Sequence, residues 1–291
     1  MLKKRELQQK KLLITKCYKL FLYLITLLLM LPLITAAALA DQPLKLALFD
    51  TPICQKYNYT KIYPHITIAK NIWPSSVEPN DRPCPEDIDR KFYRSFHGHY
   101  VLRNILKNIS SKRKIIIHPL VLFDHSGKQR LGYWSSALNW SKKNKINLQV
   151  IAAGLPISRP NKLKLTAPSL VAAGNIGLGI NPKTILWPQS SKSQLMILIG
   201  SFLPSKLPTP YNGGIYLDPN QLNQKLINFA FDGAGEKNIR FGGTSYAVAV
   251  AAGRVISACH QQLSRLKTCI KRAATKLHFI NSARSNIYTL P

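Results

Sequence analysis

Residues 241–253 read Phe241-Gly242-Gly243-Thr244-Ser245-Tyr246-Ala247-Val248-Ala249-Val250-Ala251-Ala252-Gly253. Two glycines, a Thr-Ser pair and a run of small apolar residues describe a tight turn entering a helix buried on most of its sides. Ser245 falls at or near the first turn of that helix. There a serine serves either as an N-cap or, next to the helix's unpaired backbone N–H groups, as a nucleophile beside an anion site. A cap requires neither the paired glycines nor the small-residue helix, and a reacting carbonyl needs both, because bulky neighbours would block it.

Working back along the chain, short apolar runs alternate with amphipathic stretches. Leu44–Phe49, Lys114–Phe123, Ile146–Ala153, Leu170–Ala173 and Leu195–Ile199 read as strands. Arg94–Ile109 and Trp134–Lys143 have helical spacing, and Ala247–Leu263 is a long apolar helix. Strands alternating with helices predict an α/β fold, a mostly parallel central sheet flanked by helices. Active residues in such folds collect where strands end and helices begin. Three further residues stand at those edges. Asp50 directly follows the first strand, His97 opens a helix in Phe96-His97-Gly98-His99-Tyr100, and Asn175 follows a strand in Ala172-Ala173-Gly174-Asn175. Taken singly, each also reads as a turn or capping residue.

Together these segments resemble the subtilisin-like serine proteases. Gly243-Thr244-Ser245-Tyr246-Ala247 through Gly253 is similar to the family's nucleophile segment, G-T-S-x-A. Ala172-Ala173-Gly174-Asn175, continued by Gly177, is similar to its A-A-G-N segment. His97-Gly98, with Val101, resembles the H-G pair of the general base, and Asp50-Thr51 the strand-end D-[ST]. Their order, Asp, His, Asn, Ser, is the family's order. The likeness extends through Ile115–Asp124, the helix and strand leading to Gly154, and Trp187-Pro188 before Leu195–Ile199, covering most of residues 44–263. It implies a subtilisin-like fold and a catalytic triad of Asp50, His97 and Ser245, with Asn175 supplying the oxyanion hole. Four positions depart from the family pattern: Pro52, His99, Ala249 and Ala152-Ala153-Gly154 stand where Gly, Thr or Ser, Pro and Ser-x-Gly are expected. Pro52 and His99 lie beside the triad.

Two rivals for site roles are weighed on their own residues. Asp124 also ends an apolar strand, but Asp124-His125-Ser126-Gly127 reads as a turn. His99 is a candidate second base or a flanking polar residue. No acidic cluster marks a tight calcium site, which leaves calcium open, and no cofactor is expected.

Residues 3–19 hold seven Lys/Arg and one acid, and a charge-free apolar run follows from Leu20 to Ala40, closing on Ala38-Leu39-Ala40. Basic flank, apolar centre and A-x-A exit are the parts of a secretory signal. About 20 apolar residues also suffice for a membrane anchor with the basic end inside. The exit favours cleavage, and either reading exports residues 41–291 as a periplasmic, secreted or membrane-anchored peptidase domain, with residues 1–40 contacting the membrane during export. Only Asp41–Pro43 then precede the first strand, leaving no room for a long propeptide and favouring limited cleavage of a few targets. The four exported cysteines, Cys54, Cys84, Cys259 and Cys269, permit three pairings; sequence proximity favours Cys54–Cys84 and Cys259–Cys269. None has C-x-x-C spacing, which argues against structural zinc.

The chain has 291 residues, 46% of them hydrophobic, with 41 Lys+Arg against 12 Asp+Glu. That apolar content excludes a disordered tail, a collagen and a coiled coil. Removing residues 1–40 leaves 34 basic and 11 acidic side chains, a net charge of +23. An exported endopeptidase acting on polypeptides, drawn to an anionic envelope surface, is the reading these observations favour. Its rival is a catalytically degenerate homologue acting as a cationic binding protein. A nucleic-acid partner is not expected, because no nucleic-acid motif is present and aromatics do not interleave with the basic groups.

Overall fold

The computed structural model describes residues 19–28, 42–74, 76–77, 84, 95–124, 126–157, 162–175, 185–191, 193–202, 229–232, 243–273, 275–277 and 287–289. The chain divides into two units, Met1–Pro43 and Leu44–Pro291. In the first, residues 19–28 are helical and exposed. The remainder of the apolar run to Ala40 lies outside the described residues. Among the described residues, no helix is long and apolar enough to cross a membrane.

The second unit is an α/β fold. Its strands are β1 (Leu44–Asp50), β2 (Ile66–Ile68), β3 (Ile115–Val121), β4 (Leu148–Ile151), β5 (Leu155–Ile157), β6 (Ser169–Ala172), β7 (Ile185–Trp187), β8 (Met196–Phe202), β9 (Phe229–Asp232), β10 (Thr275–Leu277) and β11 (Ile287–Thr289). The helices are α1 (His97–Lys107), α2 (Leu131–Lys143), α3 (Gly243–Cys259) and α4 (Leu266–Ala273). Nine strands form one sheet in the order β10-β11-β9-β8-β6-β4-β1-β3-β2, and β5 pairs with β7 apart from it. Among the described residues of the large sheet only the β10–β11 pair is antiparallel.

The alternation along β1 explains the layers. Leu44, Leu46 and Leu48 face one way, into a core shared with Val101, Leu102 and Ile105 of α1 and Val248 and Ala251 of α3. Ala47 and Phe49 face the other way, packing with Trp134 and Leu138 of α2. With a helix layer on each face, β1 is apolar almost throughout, as a central parallel strand must be. On the α2 side Phe49 stacks on Trp134 at 6.4 Å, and Trp134 meets the edge of Trp187 at 5.2 Å.

Parallel register brings the strand ends into line. Asp50 pairs with Val121, Phe49 with Ile151, Ile151 with Val171, and Ala172 with Ile199. One rim of the sheet therefore carries Asp50, the residues after Ile151 and the residues after Ala172. Several helix limits differ from the sequence reading: α1 starts at His97 and ends at Lys107, α2 starts at Leu131, and both ends of α3 shift. Helix α3 starts four residues before Ala247, because Gly243 adopts a φ of +78° that turns the chain directly into the helix. It ends at Cys259, after which a 3₁₀ segment, His260–Arg265, carries the apolar spacing on to buried Leu263. The cysteines pair as Cys54–Cys84 and Cys259–Cys269.

Candidate active site

Asp50 ends β1 and is buried, with 1% of its surface exposed. Its Oδ1 accepts the Thr51 backbone N–H at 2.6 Å. The Nδ1 of His97, the first residue of α1, lies 2.8 Å from Oδ1 and 2.9 Å from Oδ2. A carboxylate accepts, so Nδ1 is the donor in this pair, which leaves Nε2 as the nitrogen through which the ring can act as a base. The approach of α1 depends on Gly98. Its N–H donates to Thr51 Oγ1 at 2.8 Å, and a Cβ there would stand 2.3 Å from the Thr51 carbonyl oxygen. Glycine at 98 is what lets His97 reach Asp50. The Pro52 departure does not prevent this bond. Beyond it the turn is held by Asn71, which accepts from the Ile53 N–H and donates to the Ile53 carbonyl, each at 2.9 Å.

Ser245 lies in the first turn of α3, 6% exposed, and its hydroxyl donates to the Ala152 carbonyl at a long 3.4 Å. The turn before it is locked to the end of β6. Thr244 donates to Asn175 Oδ1 twice, from its backbone N–H at 3.0 Å and from its hydroxyl at 2.8 Å, and Thr244 Oγ1 accepts the Gly174 N–H at 3.1 Å. A backbone N–H can only donate, which identifies the bonded end of the Asn175 amide as oxygen and turns Nδ2 to the other side. Gly243 makes this junction possible twice over. Its φ is +78°, and a Cβ would lie 2.8 Å from Asn175 Oδ1.

Helices α1 and α3 lie side by side and point the same way. Gly253 sits so close to α1 that a Cβ would come within 2.6 Å of the Ile105 carbonyl, and further along Ser257 Oγ accepts the Ser110 N–H at 2.8 Å. Ser245 precedes Gly253 by eight residues, and His97 precedes Ile105 by eight. At about 1.5 Å of rise per residue, both helix starts lie about 12 Å back from the contact, at the same rim. The four residues read from the sequence thus stand at two directly bonded junctions, Asp50 with His97 and Asn175 with the turn holding Ser245.

The two rivals go elsewhere. Asp124 Oδ1 accepts the N–H groups of Ser126 and Lys128 and the Ser126 hydroxyl, an exposed turn whose bonds, chiefly that from the Ser126 hydroxyl, draw its pKa below the usual carboxylate value. His99 is buried beside Tyr57 and Tyr59, and its ring bonds the Tyr59 hydroxyl at 3.1 Å. Burial, helped by the charge of Arg103, lowers its pKa from 6.5 to about 4. It is a packed aromatic partner, not a second base. The Ala249 departure is equally harmless, since α3 runs unbroken through that fully buried residue.

Several contributors to the rim were not singled out from the sequence. Thr244 is one; Leu186 and Gln189, either side of the cis Trp187-Pro188 bond, are two more. Nothing in their spacing marks them, because their role comes from how β7 folds back against β5. Among the described residues, no group of three or more His, Cys, Asp or Glu side chains gathers where it could hold a metal ion.

No protein-family model and no curated protein sequence matches the chain. Solved structures do. The fold is similar to that of the prenylagaramide maturation protease PagA, with 15% identity, a TM-score of 0.54 and coverage of 85% of this chain and 89% of that one. A lanthipeptide protease matches with 15% identity and a TM-score of 0.54, over 85% of both chains. A cold adapted subtilisin-like serine proteinase matches with 12% identity and a TM-score of 0.54, over 86% of this chain and 89% of that one. The chain has the subtilisin-like fold.

Proposed function

We propose that the chain is an exported serine endopeptidase. Ser245 attacks a peptide carbonyl while His97 Nε2 takes its proton. The imidazolium so formed is stabilised by Asp50, and the oxyanion is held by the Asn175 amide and the Ser245 N–H. Collapse expels the amine, which takes the proton from His97. Water then attacks the acyl-enzyme, with the same histidine as base, and frees the second product and Ser245.

The observation that carries this reading is the 2.8 Å bond from His97 Nδ1 to a carboxylate that is 1% exposed. A buried charge is costly unless paired, and a structural ion pair has no need of a glycine cut to let it form. The Ser245 hydroxyl is held only by the long 3.4 Å bond to the Ala152 carbonyl, a weak partner that it can give up for His97 when substrate binds.

The net +23 of residues 41–291 favours anionic envelope surfaces as the place of action, through attraction that salt weakens. The basic, apolar and A-x-A segments of residues 1–40 supply the export signal or anchor. The test is labelling of purified residues 41–291 by a fluorophosphonate. The parent should react, and Ser245→Ala and His97→Ala should not. Equal silence from all three would favour the catalytically degenerate homologue acting as a cationic binding protein.

A further inference from the structure

Strands β4 and β6 are paired as far as Ile151 and Val171. Beyond that point Gln189 stands between their continuations, its Nε2 donating to the Ala153 carbonyl at 3.0 Å and the Ala172 carbonyl at 2.9 Å. Both partners only accept, so the opposite end of the amide is Oε1, which is sealed from solvent and has no hydrogen-bond partner among the described residues. The floor of the crevice is therefore shut. Its width is set by Leu186. One methyl, Cδ1, lies 3.3 Å from where a Gly154 Cβ would stand and 3.2 Å from where a Gly174 Cβ would stand. A single methyl group thus occupies the space that a side chain at either glycine would need.

Leu186 is not easily moved. It pairs with Pro156 in the β5–β7 ladder, and the next residue, Trp187, is buried against Trp134. The crevice opens beside the reacting groups: the Ala152 carbonyl holds Ser245, and Asn175 directly follows Gly174. A carbonyl carbon attacked by Ser245, with its oxygen on Asn175, lies across the crevice mouth. The side chain on the α-carbon next to that carbonyl is the one this reading places against Leu186.

We propose that Leu186 and Gln189 restrict cleavage to peptide bonds whose acyl-side residue is small: glycine, alanine or serine. This rests on the endopeptidase reading above and names the substrate class of that site. Bulkier side chains must displace a methyl that already fills the space beside both glycines, and a misfit of one methylene in such a slot costs about 10–200-fold.

Peptidyl diphenyl phosphonates that differ only in the final residue, Ala, Ser, Val, Leu or Phe, test this on the purified chain, with rates of covalent labelling read as ratios within each protein. Ala and Ser should react at least about tenfold faster than Leu and Phe. In Leu186→Ala the Phe-to-Ala ratio should rise about tenfold or more, and a ratio cancels any loss of folded protein. A parent that prefers Leu or Phe, or a Leu186→Ala ratio that does not move, overturns the inference and leaves the hydrolase standing. Absence of reaction with a fluorophosphonate overturns both.

Discussion

The carboxylate of Asp50 and the ring of His97, 47 residues apart in sequence, meet at 2.8 Å because a strand end and a helix start share one rim of the sheet. Asp50→Asn keeps an oxygen for the Thr51 N–H but presents an NH₂ group to His97. The ring must then move its proton to Nε2 and loses its base. Turnover of a peptide ester at neutral pH should fall by about 10⁴, the loss known for the corresponding change in the chymotrypsin-type triad. Circular dichroism should show the fold retained. A loss below tenfold would mean that Asp50 does not orient the histidine.

The Asn175 amide has two jobs that substitution can separate. Its oxygen anchors Thr244, and its nitrogen faces away from that anchor. Asn175→Asp keeps the acceptor and removes the donor, so the protein should fold while kcat falls by about 10²–10³. That magnitude is taken from the equivalent amide of subtilisin itself. KM should change far less. Unchanged kcat would remove Asn175 from the oxyanion hole.

Gly98 tests the approach of α1. An alanine methyl at 98 would lie 2.3 Å from the Thr51 carbonyl oxygen and 3.1 Å from Asp50 Cβ. The helix start must back away, at a cost of about 1–3 kcal/mol in stability by urea unfolding. Activity per folded molecule should fall as well, because His97 moves with the helix. Stability and activity both unchanged would contradict the packing described.

Acid should weaken the fold through His99. Its pKa is lowered from 6.5 to about 4 in the folded protein, so the unfolded chain binds this proton first as pH falls. Above pH 6.5 neither state is protonated and the residue has no effect. Between 6.5 and 4 stability declines with falling pH, by on the order of 2–3 kcal/mol in all, and below about 4 the decline from this residue ends. His99→Phe, placed between Tyr57 and Tyr59, should flatten thermal stability against pH over that window. The same slope in both proteins would assign the acid sensitivity elsewhere.

Much of the fold was legible because β1 and α3 are apolar on nearly every side and so announce their central positions. The candidate site was legible at Asp50, His97, Asn175 and Ser245 because each sits where a strand stops or a helix starts, next to residues with a backbone purpose. Gly98 and Gly243 are such residues. The helix starts were harder to read. His97, rather than Arg94, opens α1, and Gly243, rather than Ala247, opens α3; at the latter a positive φ, which periodicity does not encode, sets the boundary. His99 invited a catalytic reading because it lies two residues from His97 in sequence. Along a helix, however, side chains two residues apart point in different directions, and His99 faces Tyr59. Leu186 and Gln189 carried no signal, since their position depends on a distant pairing of β7 with β5.

The central claim, that Ser245 is a nucleophile activated by His97, is tested most directly by mapping the adduct a fluorophosphonate leaves on the purified protein. One adduct per chain, located by peptide mass spectrometry on Ser245 and missing from His97→Ala, is the expected result. No adduct, an adduct on another residue, or one that forms equally well without His97 would contradict it.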